Sequence, residues 1–339
     1  VYFKGHAAWV HTKKISSRTA ATEVYTEICN KTRKKRKTEI RIEIISPSGD
    51  QIAAITDTLV LSAGQTYCLV KPVTIANPQL WSVNSPVLYT ARFSLLADDG
   101  TEDRDEVPFG IRTIAFSAEK GFLLNGVPLK LKGGCLHHDN GLLGAAAISR
   151  AEERKVELLK ANGFNTVRCA HNPPSKAFLD ACDQQGLLVI DEAFDQWQKP
   201  KNPDDYHRFF AEDHERALTA MIRSDRNHPS VILWSIGNEI PERADSAGVE
   251  IARKLISVIR QLDPSRAVTA AVNDFWDNPG KTWADSKTAF SMLDVAGYNY
   301  MWYEYEKDHA RFPERVMYGS ESVPGEAARN WDLVEAHSY

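Results

Sequence analysis

Cysteine is scarce in this chain, and the few cysteines are not spaced like metal ligands. There are five among 339 residues. Their number is odd and no two of them form a C-x-x-C pair, which argues against a disulfide framework and against a structural zinc site.

Long apolar runs and a strong net charge are also missing. No stretch approaches the roughly 18 apolar residues that a membrane-spanning helix needs. The net charge of -4 provides no general attraction for nucleic acid or acidic membranes. The basic run Lys34–Lys37 is flanked by acidic residues, which favours a solvated turn over a nucleic-acid patch. We therefore predict neither a nucleic-acid nor a membrane partner.

Several common catalytic signatures are absent as well. The sequence contains no G-x-S-x-G nucleophile elbow and no phosphate-binding P-loop. Glycines occur in "LKGGCLHHDNG", but without the G-x-G-x-x-G spacing of a dinucleotide site.

The first third of the chain alternates apolar and polar residues, as in "TEVYTEICN" and "TEIRIEIIS". This period of two is typical of half-buried strands, and "SPSGDQ" is typical of a turn between them. No helical repeat interrupts the pattern. We predict an immunoglobulin-like β-sandwich over residues 1–117.

The rest of the chain alternates near-continuous apolar strands with amphipathic helices. This pattern predicts a parallel sheet covered by helices. Seven strands can be counted, whereas a (β/α)8 TIM barrel has eight. We predict a TIM barrel over residues 118–339 that lacks its last strand, and the segment 325–339 would form its seventh helix. A doubly wound open sheet is the competing architecture.

Polar residues follow each of the seven apolar runs. In a TIM barrel the carboxyl ends of the strands meet at one rim, where the chemistry of such folds takes place. Any single polar strand end is unremarkable, but seven of them together indicate one site. These ends are His137, His138 and Asp139; Arg168 and His171; Asp191 and Glu192; Asn238 and Glu239; Asn273 and Asp274; Asn299 and Tyr300; and Ser320 and Glu321.

Carboxylates on one rim suggest acid/base or nucleophilic work. Glycoside hydrolysis uses two carboxyl groups that flank the bond to be broken. The run from His137 to Asp139 could instead form the edge of a metal site, but its spacing is weak support for one.

Six longer segments carry a signature of their own. They are "NPQLWSVNSPVLYTARFSL", "FGIRTIAFSAEKGFLLNGVPLKLKGGCLHHDNG", "GFNTVRCAHNPPS", "GLLVIDEAF", "RNHPSVILWSIGNEIP" and "MYGSES". Together they resemble glycoside hydrolase family 2, the family of β-galactosidases, β-glucuronidases and β-mannosidases. The resemblance covers nearly the whole chain in the right order, and it implies an immunoglobulin-like domain followed by a TIM barrel.

The resemblance also implies site residues. By motif, Glu239 corresponds to the general acid/base and Glu321 to the nucleophile of a retaining glycosidase, with the two carboxyl groups about 5–5.5 Å apart. Asp191 either contacts the sugar or pairs with Arg168, and Trp197 either stacks on the sugar or packs in the core. The implied substrate-binding set is His138, Arg168, His171, Asp191, Trp197, Asn238, Asn299 and Tyr300.

Two departures bear on cofactors. The metal-dependent galactosidases of the family have a Glu and a His after the D-E-A strand, where this chain has Asp195 and Gln196. They also have a His shortly after the nucleophile, where this chain has Pro324. We therefore predict no cofactor; a divalent metal is conceivable but not supported.

The expected substrate is a carbohydrate, and a homo-oligomer is left open. The segments "GGCLHHDNG" and "RCAHNPPS" favour a β-galactosidase, with β-glucuronidase, β-mannosidase and a non-catalytic carbohydrate-binding homologue as alternatives. The family's jelly-roll domain and eighth barrel strand have no counterpart here. We thus expect a fragment with an apolar seam between its first and seventh barrel strands, in which activity can be absent although both glutamates are present. The compartment stays open between the cytoplasm and periplasm of a bacterium.

Overall fold

The computed structural model describes residues 1–337, and these form two compact units. The first consists of Val1–Thr113 together with Arg223–Pro229, and the second contains the rest of the described chain. The domain boundary predicted at residue 117 stays a prediction.

The first unit is built from two antiparallel four-stranded sheets. In one sheet the central strand β3 pairs with β6 on one side and with β1 and β2 on the other; the second sheet has the order β5-β4-β7-β8. The predicted β-sandwich is confirmed. Its strands are β1 (Tyr2–Phe3), β2 (Trp9–Ile15), β3 (Thr19–Cys29), β4 (Arg36–Ile45), β5 (Gln51–Leu61), β6 (Thr66–Ala76), β7 (Tyr89–Ala97) and β8 (Glu102–Phe109).

Alternation in the sequence explains the sandwich core. On β4 every second residue, Ile40, Ile42 and Ile44, is buried, because side chains along a strand point to opposite faces. Val24 and Phe93 join the same core from β3 and β7. Since one face of each sheet is apolar, the two sheets bury their apolar faces together.

The second unit opens with a small antiparallel sheet of β9 (Ile114–Ser117), β10 (Gly121–Leu124) and β11 (Val127–Pro128). A parallel sheet of seven strands follows, in which each strand pairs with the next along the chain. Its strands are β12 (Gly133–His137), β13 (Thr166–Ala170), β14 (Leu188–Glu192), β15 (Val231–Asn238), β16 (Ala267–Val272), β17 (Val295–Asn299) and β18 (Met317–Glu321).

A helix follows each of these seven strands, which is the repeating unit of a TIM barrel. The predicted barrel of seven strands is confirmed, and the sheet is nearly closed. The residues 338 and 339 of the predicted seventh helix lie outside the described chain. The helices are α1 (Ser149–Ala161), α2 (Lys176–Gln185), α3 (His207–Asp225), α4 (Ser246–Leu262), α5 (Ser286–Phe290), α6 (Tyr305–Arg311) and α7 (Ala327–Ala336).

The end strands β12 and β18 differ from the five between them. Nearly every residue of β13 to β17 is buried, whereas β12 and β18 are partly exposed. Leu136 on β12 is half-buried and Met317 on β18 is buried, and the predicted apolar seam between these strands stays a prediction. The thiol of Cys135 on β12 donates to the carbonyl of Ser320 on β18 at 3.4 Å. Burial raises the pKa of this thiol to about 11, so the sulfur keeps its proton.

None of the helices in residues 1–337 is long and apolar enough to cross a membrane.

Candidate active site

The carboxyl ends of the barrel strands bring together most of the predicted site residues. Strands in a parallel sheet all end at the same edge, so residues far apart in sequence become neighbours there. The cluster contains Arg168 on β13, Asn238 on β15 with Glu239 directly after it, Asn299 on β17 with Tyr300 directly after it, and Glu321 on β18.

One side-chain amide links the two predicted catalytic glutamates. The Nδ2 atom of Asn299 donates to Oε1 of Glu239 at 3.0 Å and to Oε2 of Glu321 at 3.4 Å. The hydroxyl of Ser320 holds the other end of this amide by donating to Asn299 Oδ1 at 2.6 Å. Asn299 itself is fully buried. The nearest oxygens of the two carboxylates therefore cannot be farther apart than these two amide distances combined.

Two donors fix the carboxylate of Glu321. Tyr300 Oη donates to Oε1 at 2.5 Å, and Arg168 Nη1 donates to Oε2 at 3.2 Å. Burial, the hydrogen bond to Glu321 and the nearby charges of Glu321 and Glu239 raise the pKa of Tyr300 well above its usual value, so the phenol remains a donor. The side chain of Glu321 is 21% exposed, which leaves it accessible from the rim.

Arg168 is itself held by Glu192, one of the polar strand ends but not a member of the implied substrate-binding set. Its Nε and Nη2 atoms form a two-pronged pair with Glu192, at 3.0 Å and 2.8–2.9 Å. His171 Nδ1 and Ser235 Oγ lie 2.8 Å and 2.7 Å from the same carboxylate, which is 0% exposed. Burial alone would raise the pKa of Glu192, but the charge of Arg168 and the hydrogen bonds from His171 and Ser235 outweigh it and lower the pKa.

Asn238 connects these groups to the loop after β14. Its Oδ1 atom accepts from Arg168 Nη2 at 2.8 Å and from Asn299 Nδ2 at 3.0 Å. Its Nδ2 atom donates to Asp195 Oδ1 at 3.0 Å. Because donors and acceptors are matched on both sides, the amide of Asn238 has a single orientation in the network.

The backbone is strained at two residues of this cluster. Glu239 has a φ of 45° and Tyr300 a φ of 63°, both in the left-handed region. Each such residue costs on the order of 1–3 kcal/mol and persists only where its surroundings fix it. The amide of Glu239 donates to the carbonyl of Ala271 at 2.8 Å, and that of Tyr300 donates to the carbonyl of Glu321 at 2.8 Å.

The histidines occupy the rim beside this cluster. His171 contacts Glu192 and stacks edge-on against His137, with the ring centroids 5.1 Å apart. His138, predicted to bind sugar, is half-buried with its Nε2 atom 3.0 Å from the carbonyl oxygen of Ala145.

Two predicted substrate contacts are not brought into the cluster. Asp191 is 0% exposed and lies next to Glu192 in β14, so the two side chains point to opposite faces of the strand. Glu192, its neighbour, pairs with Arg168. Trp197 is 3% exposed and donates from Nε1 to the carbonyl of Ile236 at 2.8 Å. It packs in the barrel core, so of the two predicted roles the structure favours packing over stacking on a sugar.

No group of three or more His, Cys, Asp or Glu side chains within residues 1–337 is arranged to hold a metal ion. Asp195, which stands near the metal-binding position of the galactosidases, accepts from the ammonium of Lys201 at 2.7 Å as well as from Asn238. Oδ1 of Asp195 is therefore engaged by two donors.

The fold and the site together define a TIM barrel whose rim carries two carboxylates that share an amide donor. Comparison with known protein families assigns the chain to one of them. The model described as "Glycosyl hydrolases family 2, TIM barrel domain" matches residues 117–321, and that of "Glycosyl hydrolases family 2" matches residues 3–112. The chain belongs to glycosyl hydrolase family 2.

Similar proteins agree with this assignment. A β-galactosidase of Bacteroides ovatus, BoGH2A, is 35% identical over 95% of this chain and 41% of its own length. A crystal structure of a family 2 member from Bacteroides cellulosilyticus is 43% identical with a TM-score of 0.94, over 99% of this chain and 43% of its own. A β-glucuronidase of Bacteroides uniformis is 26% identical with a TM-score of 0.80, over 93% of this chain and 40% of its own. The chain thus spans about two fifths of each relative.

Proposed function

We propose that the protein is a retaining β-glycosidase that releases terminal β-linked sugars, with Glu321 as nucleophile and Glu239 as general acid/base. The observation that carries this proposal is the shared amide of Asn299, at 3.0 Å and 3.4 Å from the two carboxylates. A donor shared by both carboxylates supports the retaining arrangement, in which the two carboxyl groups lie about 5–5.5 Å apart, over the inverting one, in which about 6.5–9.5 Å admits a water molecule.

The reaction would proceed in two displacements. Glu321 attacks the anomeric carbon, the bond to the aglycone oxygen breaks, and Glu239 gives its proton to that oxygen. In the second step Glu239 takes a proton from water, the resulting hydroxide oxygen bonds to the anomeric carbon, and the carboxylate of Glu321 leaves. The proton balance of Glu239 is thereby restored.

The surrounding donors have defined tasks in this scheme. Arg168 and Tyr300 each donate to one oxygen of Glu321, so they orient the carboxylate and stabilise its negative charge. Asn238 uses one hydrogen of its amide on Asp195. The second hydrogen of this amide would donate to the sugar 2-hydroxyl, a contact that strengthens in the transition state.

A β-galactoside is the first candidate substrate. The similar BoGH2A is named a β-galactosidase, and the motifs around His138 and His171 resemble that branch. A β-glucuronide is the second, since proteins similar over most of this chain bear the name β-glucuronidase. A panel of nitrophenyl β-glycosides separates the two by relative kcat/KM.

The decisive variant is Glu321→Gln, which removes the nucleophile and keeps its size. We expect kcat on the best glycoside of the panel to fall by several orders of magnitude while sugar binding, followed by calorimetry, persists. Glu212→Gln, an exposed glutamate on α3, is the matched control and should change neither. Unchanged turnover in the Glu321 variant, or a first product of inverted anomeric configuration by NMR, would show the assignment to be wrong.

A further inference from the structure

A lysine outside the predicted site touches the peptide bond that leads into Glu239. Lys201 lies in the loop between β14 and α3, and its Nζ atom donates to the backbone carbonyl of Asn238 at 3.0 Å. The same ammonium pairs with Asp195 Oδ1 at 2.7 Å, and its side chain is 21% exposed. Because Asn238 Nδ2 also donates to Asp195, the three residues form a closed triangle of hydrogen bonds.

The loop that carries Lys201 is itself fixed. The carboxylate of Asp205 accepts from the backbone amides of Lys201 and Asn202, at 2.8 Å and 2.7 Å. Upstream, Oε1 of the buried Glu242 accepts from the backbone amides of Gln198 and Lys199, at 2.8 Å and 3.1 Å. Lys201 therefore reaches Asn238 from a backbone that is anchored on both sides.

The contact of Lys201 is important because it holds the peptide bond between Asn238 and Glu239. The carbonyl of Asn238 and the amide of Glu239 belong to one planar unit, and the angle φ of Glu239 describes how that plane is turned relative to Glu239. This plane is held at both ends, the amide by the carbonyl of Ala271 and the carbonyl by Lys201. A φ of 45° is unfavourable for a glutamate, so it needs such support.

We propose that Lys201 is a positioning residue for Glu239: its ammonium holds the Asn238–Glu239 peptide in the left-handed conformation that aims the Glu239 carboxylate at Asn299 and the aglycone. The proposal rests on the function proposed above, because it is the acid/base step that Lys201 would serve. Nothing in the sequence pattern marked this lysine, since it lies nine residues beyond the end of its strand.

Leaving-group chemistry separates this role from a general loss of structure. Protonation of the aglycone oxygen matters greatly when the departing alcohol is a weak acid and little when it is a strong one. A misplaced Glu239 should therefore slow the hydrolysis of a phenyl glycoside and spare that of a dinitrophenyl glycoside of the same sugar. Partial unfolding would lower both to the same extent.

The test compares Lys201→Met with Lys199→Met by kcat/KM, which reports the first displacement. Lys199 lies in the same loop and pairs with Asp245 instead. For Lys201→Met we expect kcat/KM to fall at least about tenfold on the phenyl glycoside and less than about threefold on the dinitrophenyl glycoside. Lys199→Met should match the unaltered protein on both. Equal losses on both glycosides in Lys201→Met would overturn the proposal.

A crystal structure of Lys201→Met decides the matter independently of turnover. We expect the Asn238–Glu239 peptide to rotate and the contact between Glu239 Oε1 and Asn299 Nδ2 to be lost. If φ of Glu239 and this contact are both unchanged, Lys201 does not position Glu239. If the unaltered 339-residue chain hydrolyses none of the glycosides, it lacks the proposed activity by itself, and the structure of the variant alone supports or refutes the positioning role.

Discussion

Two adjacent carboxylates on β14 show what a single residue contributes to the site. Asp191 and Glu192 are both fully buried, and Glu192 pairs with Arg168 and thereby determines where that guanidinium can reach. Sequence alone places both at the end of one strand. It does not say which of two neighbours faces the barrel interior, because a shift of one residue exchanges the two faces.

The pair between Glu192 and Arg168 predicts a large effect of neutralising the carboxylate. In Glu192→Gln the guanidinium loses its buried counter-charge, and breaking a buried pair costs about 3–5 kcal/mol. We expect the free energy of unfolding in urea to fall by that amount and kcat to fall with it, since Arg168 also contacts Glu321. Glu215→Gln, on the exposed face of α3, is the control. A change in stability similar to that of the control would contradict this interpretation.

At the scale of elements, the barrel strands could be predicted from the sequence because they are buried on both faces. β15 is buried along its whole length, which gives the unbroken apolar run before Asn238. The short helices α5 and α6, of five and seven residues, were not predicted because so few turns do not establish a helical period. The contact of Lys201 was not predicted for a related reason, because a loop residue has no periodic pattern that indicates what it will contact.

The junction between α4 and β16 allows a prediction about acid stability. Asp263, at the end of α4, accepts from Trp234 Nε1 at 2.9 Å and from Arg266 Nη1 at 2.6 Å. Burial alone would raise its pKa, but the charge of Arg266 and the hydrogen bonds of Ser265 outweigh it and lower the pKa to about 2. A lowered pKa adds stability above the unfolded value near 3.9, and this is lost as the pH falls towards 2.

Asp263→Asn should remove this pH-dependent stability. We expect the unaltered protein to lose about 2–3 kcal/mol more than the variant between about pH 5 and pH 2, measured from urea unfolding at each pH. Asp204→Asn, on an exposed residue of the loop before α3, provides the comparison. If the Asp263 variant and the unaltered protein lose stability in parallel, the carboxylate does not contribute in this way.

At the scale of the whole molecule, the distribution of charge matters more than its sum. The basic turn between β3 and β4 is partly neutralised, because Arg36 pairs with Asp99 at 2.8 Å and approaches Asp98 at 3.8 Å. With a net charge of -4, little long-range attraction for a polyanion is left.

We therefore expect no retardation of duplex DNA in an electrophoretic mobility assay at about 0.15 M salt. The variant Asp98→Asn with Asp99→Asn exposes the basic turn and serves as a positive comparison. Retardation of the unaltered protein that Arg36→Ala abolishes would show that the turn binds nucleic acid.

The bridge formed by Asn299 also bears on where a proton can sit. A carboxylic acid carries its proton on one oxygen, and the other, the carbonyl oxygen, is the stronger acceptor for an amide N–H. Since Asn299 donates to Oε1 of Glu239, we expect the acid form of Glu239 to hold its proton on Oε2. The amide thus distinguishes two chemically equivalent oxygens, and in the proposed mechanism the aglycone would be protonated from the side of Oε2.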